Sequence, residues 1–397
     1  MPVVNPDTIE QWIKEAASRP MSSGLIIQYI ALRLNELSAR NEELASENIA
    51  LQSGAKVEEY ERRIVHLEYQ LELIRRQFGG QAGVELPGKP ADAQVKPETL
   101  SLLLYDGSGR VLRLGFEPKS LHNGQLLGRL AGDLLTPDAP RLLAVPATEE
   151  LLFIFTSGRV ASLALEAIPL VQPSGDDLLW DWEQAAVPSE PNAGERLACL
   201  APIGRMAVAE CFVQVSRKGC VKKIRAGMGQ TILANHYIGA GVRLPPDQTF
   251  KLLLCANDSL LALATFEGYV QCVGVKNLPP SVEEALRLES SDHLVDAFTP
   301  ISGQDILAIT QPGKAVHWTA ERLEVGSSYR TRGQALFSAS RREQGVRVVA
   351  AASVSPDDWG AALHRSGRLS LHAVEDILRS GALPVEDELL AFTFFTL

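Results

Sequence analysis

Apolar residues recur with two different periods along this chain, and the change of period divides it. Between residues 23 and 78 they recur every three or four positions, which is typical of an amphipathic helix. From about residue 100 onwards, short apolar runs rich in β-forming residues replace that pattern. The sequence therefore predicts a helical N-terminal region followed by a mainly β region.

The helical region contains two predicted elements. A short helix is expected within residues 1–22, where Asn5 can cap it, Pro6 suits its first turn and Pro20 ends it. A coiled coil over residues 23–78 follows, because apolar residues occupy the a and d positions of heptads and Asn occupies two further a positions. The predicted dimer-interface residues are Ile27, Ile30, Leu34, Leu37, Asn41, Leu44, Asn48 and Leu51. Since an Asn at position a pairs best with its own copy in a parallel dimer, we expect a homodimer.

The heptad register breaks near Gly54. It resumes at Val57, two residues beyond the expected position, and a continuous coiled coil does not absorb that offset easily. The second helix therefore either continues a bent dimer or folds back antiparallel on the first. Residues 79–98 are rich in Gly and Pro and carry no apolar period, which predicts a linker.

Residues 99–397 repeat one pattern six times: a β-rich run, a turn ending in Gly, and a second short strand. The turn glycines are Gly109, Gly158, Gly219, Gly268, Gly313 and Gly367, at steps of 49, 61, 49, 45 and 54 residues. Such a period indicates units that cannot bury their own apolar face and must pack against their neighbours. Six units closing on themselves predict a six-bladed β-propeller or pinwheel.

Two units carry a fuller motif. The fifth reads ILAITQPGKAVHW, then SSYRTRGQALFSA, then VRVVAAASV, and the third reads CFVQVSRKGCVKKIRAG with HYIGAGVRL. These units resemble the C-terminal β-propeller (β-pinwheel) of the DNA gyrase A and topoisomerase IV family, over about 300 residues. The resemblance implies a six-bladed fold whose outer rim contacts DNA.

The chain also departs from that family. No loop carries the basic, Gly-rich heptapeptide of the form Q-R/K-R-G-G-R/K-G, so chiral wrapping of DNA is not implied. Residues 1–98 are too short for the cleavage domain with its catalytic tyrosine. No phosphate-binding loop, G-x-S-x-G elbow or H-E-x-x-H pair occurs either. We therefore expect no enzyme and no cofactor, and an enzyme using the propeller channel is the least favoured of three hypotheses.

Charge limits how much of the propeller could bind nucleic acid. Residues 1–98 contain 11 Lys/Arg and 15 Asp/Glu, which leaves 27 basic and 33 acidic residues in the propeller region. Phosphate neutralisation supplies most of the affinity of DNA-wrapping domains, so contact around the whole rim is not expected. The basic residues do, however, cluster in two units.

The two basic clusters define the predicted DNA-binding site. Its residues are Arg217, Lys218, Lys222, Lys223 and Arg225 in the third unit and Arg330, Arg332, Arg341 and Arg342 in the fifth, with Arg347 nearby. Strand alternation places Lys222 and Lys223 on opposite faces, so only part of each cluster shares a face. The alternative is that these side chains protect strand edges from unwanted pairing.

The remaining features concern partners and location. An acidic insertion at residues 172–196 carries Trp180 and Trp182, which either anchor a protein partner or pack the insertion onto the propeller. The five cysteines are odd in number and lack CxxC spacing, so buried thiols are expected. No signal-peptide pattern and no run of 18 apolar residues occurs, which predicts a cytoplasmic protein without membrane contact.

The favoured function is non-catalytic DNA binding by a dimer, and the alternative is a protein-interaction scaffold that has lost DNA affinity.

Overall fold

Six β-sheets, one for each predicted unit, are arranged in a ring in the described part of the chain. The computed structural model describes Lys14 and residues 99–397, except 118–119, 133, 135–139, 174, 176–178, 207, 244–246, 327–328 and 386. These residues, apart from Lys14, belong to the compact unit Gln94–Leu397. The predicted N-terminal helix, the coiled coil with its interface residues and the linker lie outside the described residues.

The strands, in chain order, are β1 (Leu100–Tyr105), β2 (Val111–Phe116), β3 (Gln125–Ala131), β4 (Arg141–Pro146), β5 (Glu150–Phe155), β6 (Val160–Ala164), β7 (Leu170–Val171), β8 (Leu179–Asp181), β9 (Leu197–Pro202), β10 (Cys211–Ser216), β11 (Cys220–Arg225), β12 (Thr249–Cys255), β13 (Leu260–Thr265), β14 (Tyr269–Gly274), β15 (Glu283–Glu284), β16 (Leu294–Phe298), β17 (Asp305–Thr310), β18 (Ala315–Thr319), β19 (Gln334–Ala335), β20 (Val348–Val354), β21 (Trp359–His364), β22 (Arg368–Ala373) and β23 (Leu389–Phe395). The α-helices among these residues are α1 (Gly229–Asn235), α2 (Ala339–Glu343) and α3 (Val374–Ser380). Short 3₁₀ turns cover Leu165–Ala167, Trp182–Gln184, Ala226–Met228, Val275–Asn277 and Ala320–Arg322.

Each sheet is built on an antiparallel hairpin that contains the predicted Gly turn. The six hairpins are β1–β2, β5–β6, β10–β11, β13–β14, β17–β18 and β21–β22. All six turn glycines have a left-handed φ, between 75° and 89°. This conformation costs little for Gly and strains other residues, which explains why Gly recurs at this point of the repeat.

A third strand lies at the inner side of each hairpin, and these strands surround the centre of the ring. They are β4, β9, β12, β16, β20 and β23, from the first to the sixth sheet. The inner strands from β9 through β12, β16 and β20 to β23 contact one another in this order, and β23 of the sixth sheet contacts β4 of the first. Arg141 of β4 donates to the Ala198 carbonyl of β9 at 2.5 Å. The ring is therefore closed.

The outer strand of a sheet comes from the following unit. β7 joins the first sheet, β15 the third and β19 the fourth. Isolated bridges from Arg159 to Tyr237 and from Lys314 to Ala382 make the same connection for the second and fifth sheets. The sixth sheet takes β3 from the first unit, in the order β23-β21-β22-β3-β8. Each unit is thus hydrogen-bonded into its predecessor, and the first unit completes the last.

The apolar core consists of six clusters, each between two neighbouring sheets. At the closing junction, Leu102 and Leu104 of the first sheet pack with Leu363, Leu369 and Leu371 of the sixth. Five further clusters fill the other junctions in chain order. Full burial of a Leu side chain contributes about 1.5–3 kcal/mol, so each unit is stabilised mainly by its two neighbours. This confirms the predicted six-bladed propeller.

All five cysteines are buried and unpaired, as predicted. Burial raises the pKa of Cys199 and Cys255 to about 12 and that of Cys272 to about 11. Their thiols are accordingly protonated packing groups at neutral pH.

Candidate nucleic-acid interface

The basic residues of the third unit lie on the β10–β11 hairpin but do not form one surface. In β11, Val221 packs into the cluster between the third and fourth sheets, whereas Ile224 packs into the cluster between the second and third. Strand alternation therefore places Lys223 and Arg225 on the side of the fourth sheet and Lys222 on the side of the second. The opposite placement of Lys222 and Lys223 agrees with the sequence prediction.

The two lysines bond to different backbone carbonyl groups, Lys222 within its own unit and Lys223 in the fourth unit. Lys222 Nζ donates to the Ile238 carbonyl at 3.4 Å, and Lys223 Nζ donates to the Val275 carbonyl at 3.2 Å. Each ammonium keeps its charge and two further donors, because one carbonyl uses only one of its three N–H bonds. Both side chains are half-buried, and Arg225 is exposed at the end of the strand.

Lys276 joins this group, and the sequence analysis missed it. It is exposed and directly follows Val275, whose carbonyl accepts the bond from Lys223. We call Lys223, Arg225 and Lys276 the β11 group. None of the three forms an ion pair within the described residues. A single Lys in the fourth unit gave no cluster signal along the chain, and only the packing of neighbouring blades places the preceding residue, Val275, against Lys223.

The other two basic residues of the third unit occupy different places. Lys218 Nζ donates to the Asp292 carbonyl at 2.7 Å and to the Ser290 carbonyl at 3.1 Å, which holds the hairpin turn against the fourth unit. Arg217 lines the mouth of the central channel. The predicted five-residue cluster is therefore divided among the β11 strand, an interblade contact and the channel.

The basic residues of the fifth unit are largely engaged within the protein. Arg330 lies 3.6 Å from Glu284, and Arg332 lies 3.5 Å from Glu267 and 3.8 Å from Glu289. These exposed ion pairs are individually weak, but they cancel the charge that a phosphate would meet. The interleaved carboxylates leave this surface close to neutral.

Two arginines of the fifth unit also flank one aromatic ring. The guanidinium carbons of Arg332 and Arg342 lie 4.5 Å and 4.7 Å from the centroid of the Tyr269 ring. Arg342 donates as well to the Phe337 carbonyl, and Arg347 donates to the Arg342 carbonyl at 2.9 Å. Arg341 is exposed in α2 and forms no ion pair among the residues that the structure describes.

The acidic insertion at 172–196 does not present its tryptophans to solvent. Trp180 and Trp182 are only 8% and 5% exposed, and they pack in the cluster between the first and sixth sheets. Trp182 Nε1 donates to Asp106 Oδ2 at 3.1 Å. The interpretation in which these tryptophans anchor a partner is wrong, and the alternative, that they pack the insertion onto the propeller, is correct.

The insertion also adds a strand to the ring. β8 pairs in parallel with β3, which itself closes the sixth sheet. Farther along, Glu195 accepts from Arg159 at 2.9 Å and from the Ser157 hydroxyl, which ties the insertion to the second Gly turn. The insertion therefore covers the seam of the propeller and is not merely a surface excursion.

The sixth unit contains a buried chain of polar side chains. Asp387 Oδ1 lies 3.2 Å from His364 Nδ1, and His364 Nε2 lies 2.9 Å from Ser370 Oγ. His372 Nε2 lies 2.8 Å from the same hydroxyl. Although the order Asp–His–Ser is that of a hydrolytic triad, Ser370 is only 7% exposed and its oxygen is already bonded on both sides. The arrangement satisfies the Ser370 hydroxyl and both ring nitrogens of His364, whereas His372 Nδ1 is buried without a hydrogen-bond partner among the described residues.

No helix in the described part of the chain has the length and apolar character needed to cross a membrane. Within the same residues, no three or more His, Cys, Asp or Glu side chains converge as metal ligands.

The arrangement of blades defines the class of protein: a six-bladed propeller with outer strands exchanged between units. Among solved structures, it is similar to a DNA gyrase A C-terminal domain, with 12% identity, 75% of this chain and 99% of that chain covered, and a TM-score of 0.54. It also matches the C-terminal domain of DNA topoisomerase IV (17% identity, 75% and 93% covered, TM-score 0.48) and the E. coli ParC C-terminal domain (12% identity, 75% and 99% covered, TM-score 0.34). The described residues thus have the fold of the gyrase A C-terminal propeller, as the sequence motifs predicted.

No protein-family model and no curated protein matches the sequence. At this level of identity the structural similarity establishes the fold alone, and function has to be argued from the residues of this chain.

Proposed function

We propose that this protein is a non-catalytic DNA-binding protein whose propeller contacts the phosphate backbone of duplex DNA through the β11 group. The observation that carries the proposal is the charge of Lys223, Arg225 and Lys276, which no carboxylate in the described residues pairs at hydrogen-bond distance. Basic side chains that are free of internal carboxylates can neutralise phosphates without first breaking an ion pair.

The location of the group supports the proposal. The resemblance to the gyrase A propellers implies contact along the outer rim, and β11 is followed there only by the two-residue strand β15. By contrast, Arg330 and Arg332 lie among Glu267, Glu284 and Glu289. We therefore assign the main DNA contact to the third and fourth blades and a minor role to the fifth.

Three phosphate contacts supply only weak binding at physiological salt, so joining two propellers matters. The coiled coil inferred for residues 23–78 would place two β11 groups on one molecule. The second contact then becomes intramolecular, which raises the overall affinity without adding any contact within one propeller. A parallel dimer suits this role, because both propellers follow the same end of the coiled coil.

The experiment is an anisotropy titration of labelled duplex DNA with two charge-matched variants of the full chain. Lys223→Gln/Arg225→Gln should weaken binding by roughly tenfold or more for every DNA sequence, since backbone contacts carry no sequence information. Lys222→Gln/Arg365→Gln removes the same charge from the opposite face of β11 and from the Arg365–Glu388 surface pair, and it should weaken binding much less. Equal losses in both variants would remove the β11 group from the account.

A protein-interaction scaffold is the second candidate, and exposed apolar residues favour it. Leu170 is 48% exposed on β7, Leu179 is 65% exposed on β8, and Val187 is 42% exposed in the insertion. Apolar side chains on the outermost strands are suited to an added partner strand. Absence of DNA binding by the full chain at low salt would favour this function.

A further inference from the structure

At one mouth of the central channel the inner strands enclose a cavity of about 210 Å³. Each of the inner strands named above contributes to its walls, together with residues next to the ends of hairpin strands. Phe250 and Phe266 form apolar parts of the wall, and Arg141, Arg217 and Lys251 supply positive charge. The cavity is too small for duplex DNA, and the β11 group does not line it.

Positive charge exceeds negative charge in this cavity. Lys251 Nζ pairs with Asp296 Oδ1 at 2.5 Å, which neutralises one cation. Arg141 donates to the Ala198 carbonyl at 2.5 Å and lies 5.5 Å from the centroid of the Tyr105 ring, and neither contact cancels its charge. Arg217 forms no ion pair within the described residues. Two guanidinium charges therefore remain at the mouth of a propeller that is acidic overall.

Asp247 is a carboxylate on the Arg217 side, and its oxygen bonds to backbone N–H groups while its charge acts on Arg217. Asp247 Oδ1 accepts from the backbone N–H of Lys218 at 2.9 Å and from that of Gln248 at 2.8 Å. Burial and then the charge of Arg141 lower the pKa of Arg217, with Asp247 acting in the opposite direction. Both guanidiniums line one cavity and repel each other, so an anion bound in that cavity would offset the repulsion.

His293 adds a neutral polar group to the same wall. Its ring stacks on Phe266 at 4.7 Å between centroids, and burial followed by Arg217 and Lys218 lowers its pKa to about 4. At neutral pH the imidazole is uncharged, so it can donate one hydrogen bond without adding to the repulsion between the arginines.

We propose that the channel mouth binds a small multivalent oxyanion of the diphosphate or phosphate-monoester class, held by Arg141 and Arg217. The planar guanidinium group presents paired N–H donors that match phosphate oxygens. The enclosing walls restrict water, which strengthens charge–charge interaction inside the cavity. This site is independent of the proposed DNA contact in both residues and location.

Calorimetric titration of the full chain with sodium pyrophosphate tests the proposal, with sodium chloride at matched ionic strength as the reference. The wild-type protein is expected to bind pyrophosphate at one site per chain. Arg217→Gln and Arg141→Gln should each weaken binding by about tenfold or more, as expected for loss of a charge-assisted hydrogen bond. Arg379→Gln changes an exposed Arg of α3 that pairs with Glu375 and Asp376 and does not line the cavity, so it should bind as the wild type does.

Two results would overturn the proposal: no saturable pyrophosphate binding by the wild-type protein, or equal weakening in Arg217→Gln and Arg379→Gln. Far-UV circular dichroism and the unfolding midpoint establish that each variant is folded before it is titrated. Since no DNA is present, failure of this site leaves the proposed DNA contact untouched, and failure of DNA binding leaves this site untouched.

Discussion

The backbone N–H of Leu130 donates a 2.9 Å hydrogen bond to the carbonyl of Gly367, which joins the first unit of the propeller to the last. Arg129 Nε reinforces it by donating to the Ser366 carbonyl at 2.9 Å. Equivalent bonds run from Ile238 to Gly158 and from Leu336 to Gly268 at 2.9 Å each. The turn glycine of one blade is therefore the docking point for the following unit.

Gly367→Ala should destabilise the propeller strongly. Gly367 has a φ of 83°, and an added Cβ would collide with the Leu130 carbonyl oxygen. Backbone strain and the loss of the closing contact together should lower the free energy of unfolding by about 3 kcal/mol or more. Urea denaturation followed by circular dichroism measures this change.

Gly303→Ala is the control for that experiment. Gly303 has a similar φ of 79°, but nothing lies within 4 Å of its added Cβ. Its cost should be limited to the left-handed backbone, about 1–2 kcal/mol. If the two variants lose the same stability, the Leu130–Gly367 contact does not close the ring in the way described.

The two tryptophans of the insertion should differ in their contribution to stability. Trp182→Phe removes a buried bond from Nε1 to the Asp106 carboxylate, and it leaves that carboxylate, 3% exposed, with one donor fewer. Trp180 Nε1 is buried without a hydrogen-bond partner in the described structure, so Trp180→Phe removes no such bond. Trp182→Phe should therefore cost about 1.5–3 kcal/mol more than Trp180→Phe in urea denaturation. An equal loss would mean that the Asp106 bond contributes nothing net.

The repeat predicted the architecture because its signal is local. Each hairpin spans 15 to 17 residues, and each turn contains a Gly at a left-handed φ. The exchange of outer strands was not predicted, because β7, β15 and β19 are two residues long and carry no alternation. Their position follows from backbone hydrogen bonds to another unit, which leave no mark in the residue pattern.

The candidate sites were predicted only in part for a related reason. Alternation along β11 correctly separated Lys222 from Lys223, since both residues are on one strand. Lys276 in the β11 group comes from the fourth unit and Arg141 at the channel mouth comes from the first, whereas β11 and Arg217 belong to the third. Packing of the blades brings these residues to their sites, so a search for clusters along the chain does not find them. Lys251 is in the third unit but joins Arg217 through the pairing of β12 with β10.

Stability should fall as the pH is lowered from about 6.5 towards 4. Burial, and then the charge of His364, lower the pKa of His372 to about 4, and the pKa of His293 is also about 4. In the unfolded chain both titrate near 6.5. Within this window the unfolded state binds more protons than the folded state, so protons favour unfolding, and above the window the two histidines have no effect.

His372→Gln should reduce that pH dependence. Near pH 5 the unfolded wild-type chain binds about one more proton at His372 than the folded chain does. Without that proton, the slope of the unfolding free energy against pH falls by about 1.4 kcal/mol per pH unit. The wild-type protein, measured at the same pH values, is the reference. Urea denaturation at a series of pH values gives both slopes, and an unchanged slope in His372→Gln would mean that His372 does not titrate as described.

The full chain should have a mass close to twice 43.1 kDa in light scattering, because the heptads of residues 23–78 predict a homodimer. Leu34→Asp/Leu37→Asp places charges at predicted a and d positions and should give a monomer. Ala39→Asp/Ser46→Asp places them at outward-facing f positions of the same register and should remain dimeric. A dimer in all three proteins would show that the predicted seam is not the interface.

The most direct test of phosphate contact is the salt dependence of DNA binding by the wild-type chain. Fluorescence anisotropy of a labelled duplex, titrated at several sodium chloride concentrations, gives log Kd against log salt concentration. Three phosphates per propeller predict a slope of about 3 for one engaged propeller and about 5 for two, at roughly 0.9 per phosphate. Binding that weakens with such a slope supports the account. No binding at the lowest salt, or binding that does not change with salt, would contradict it.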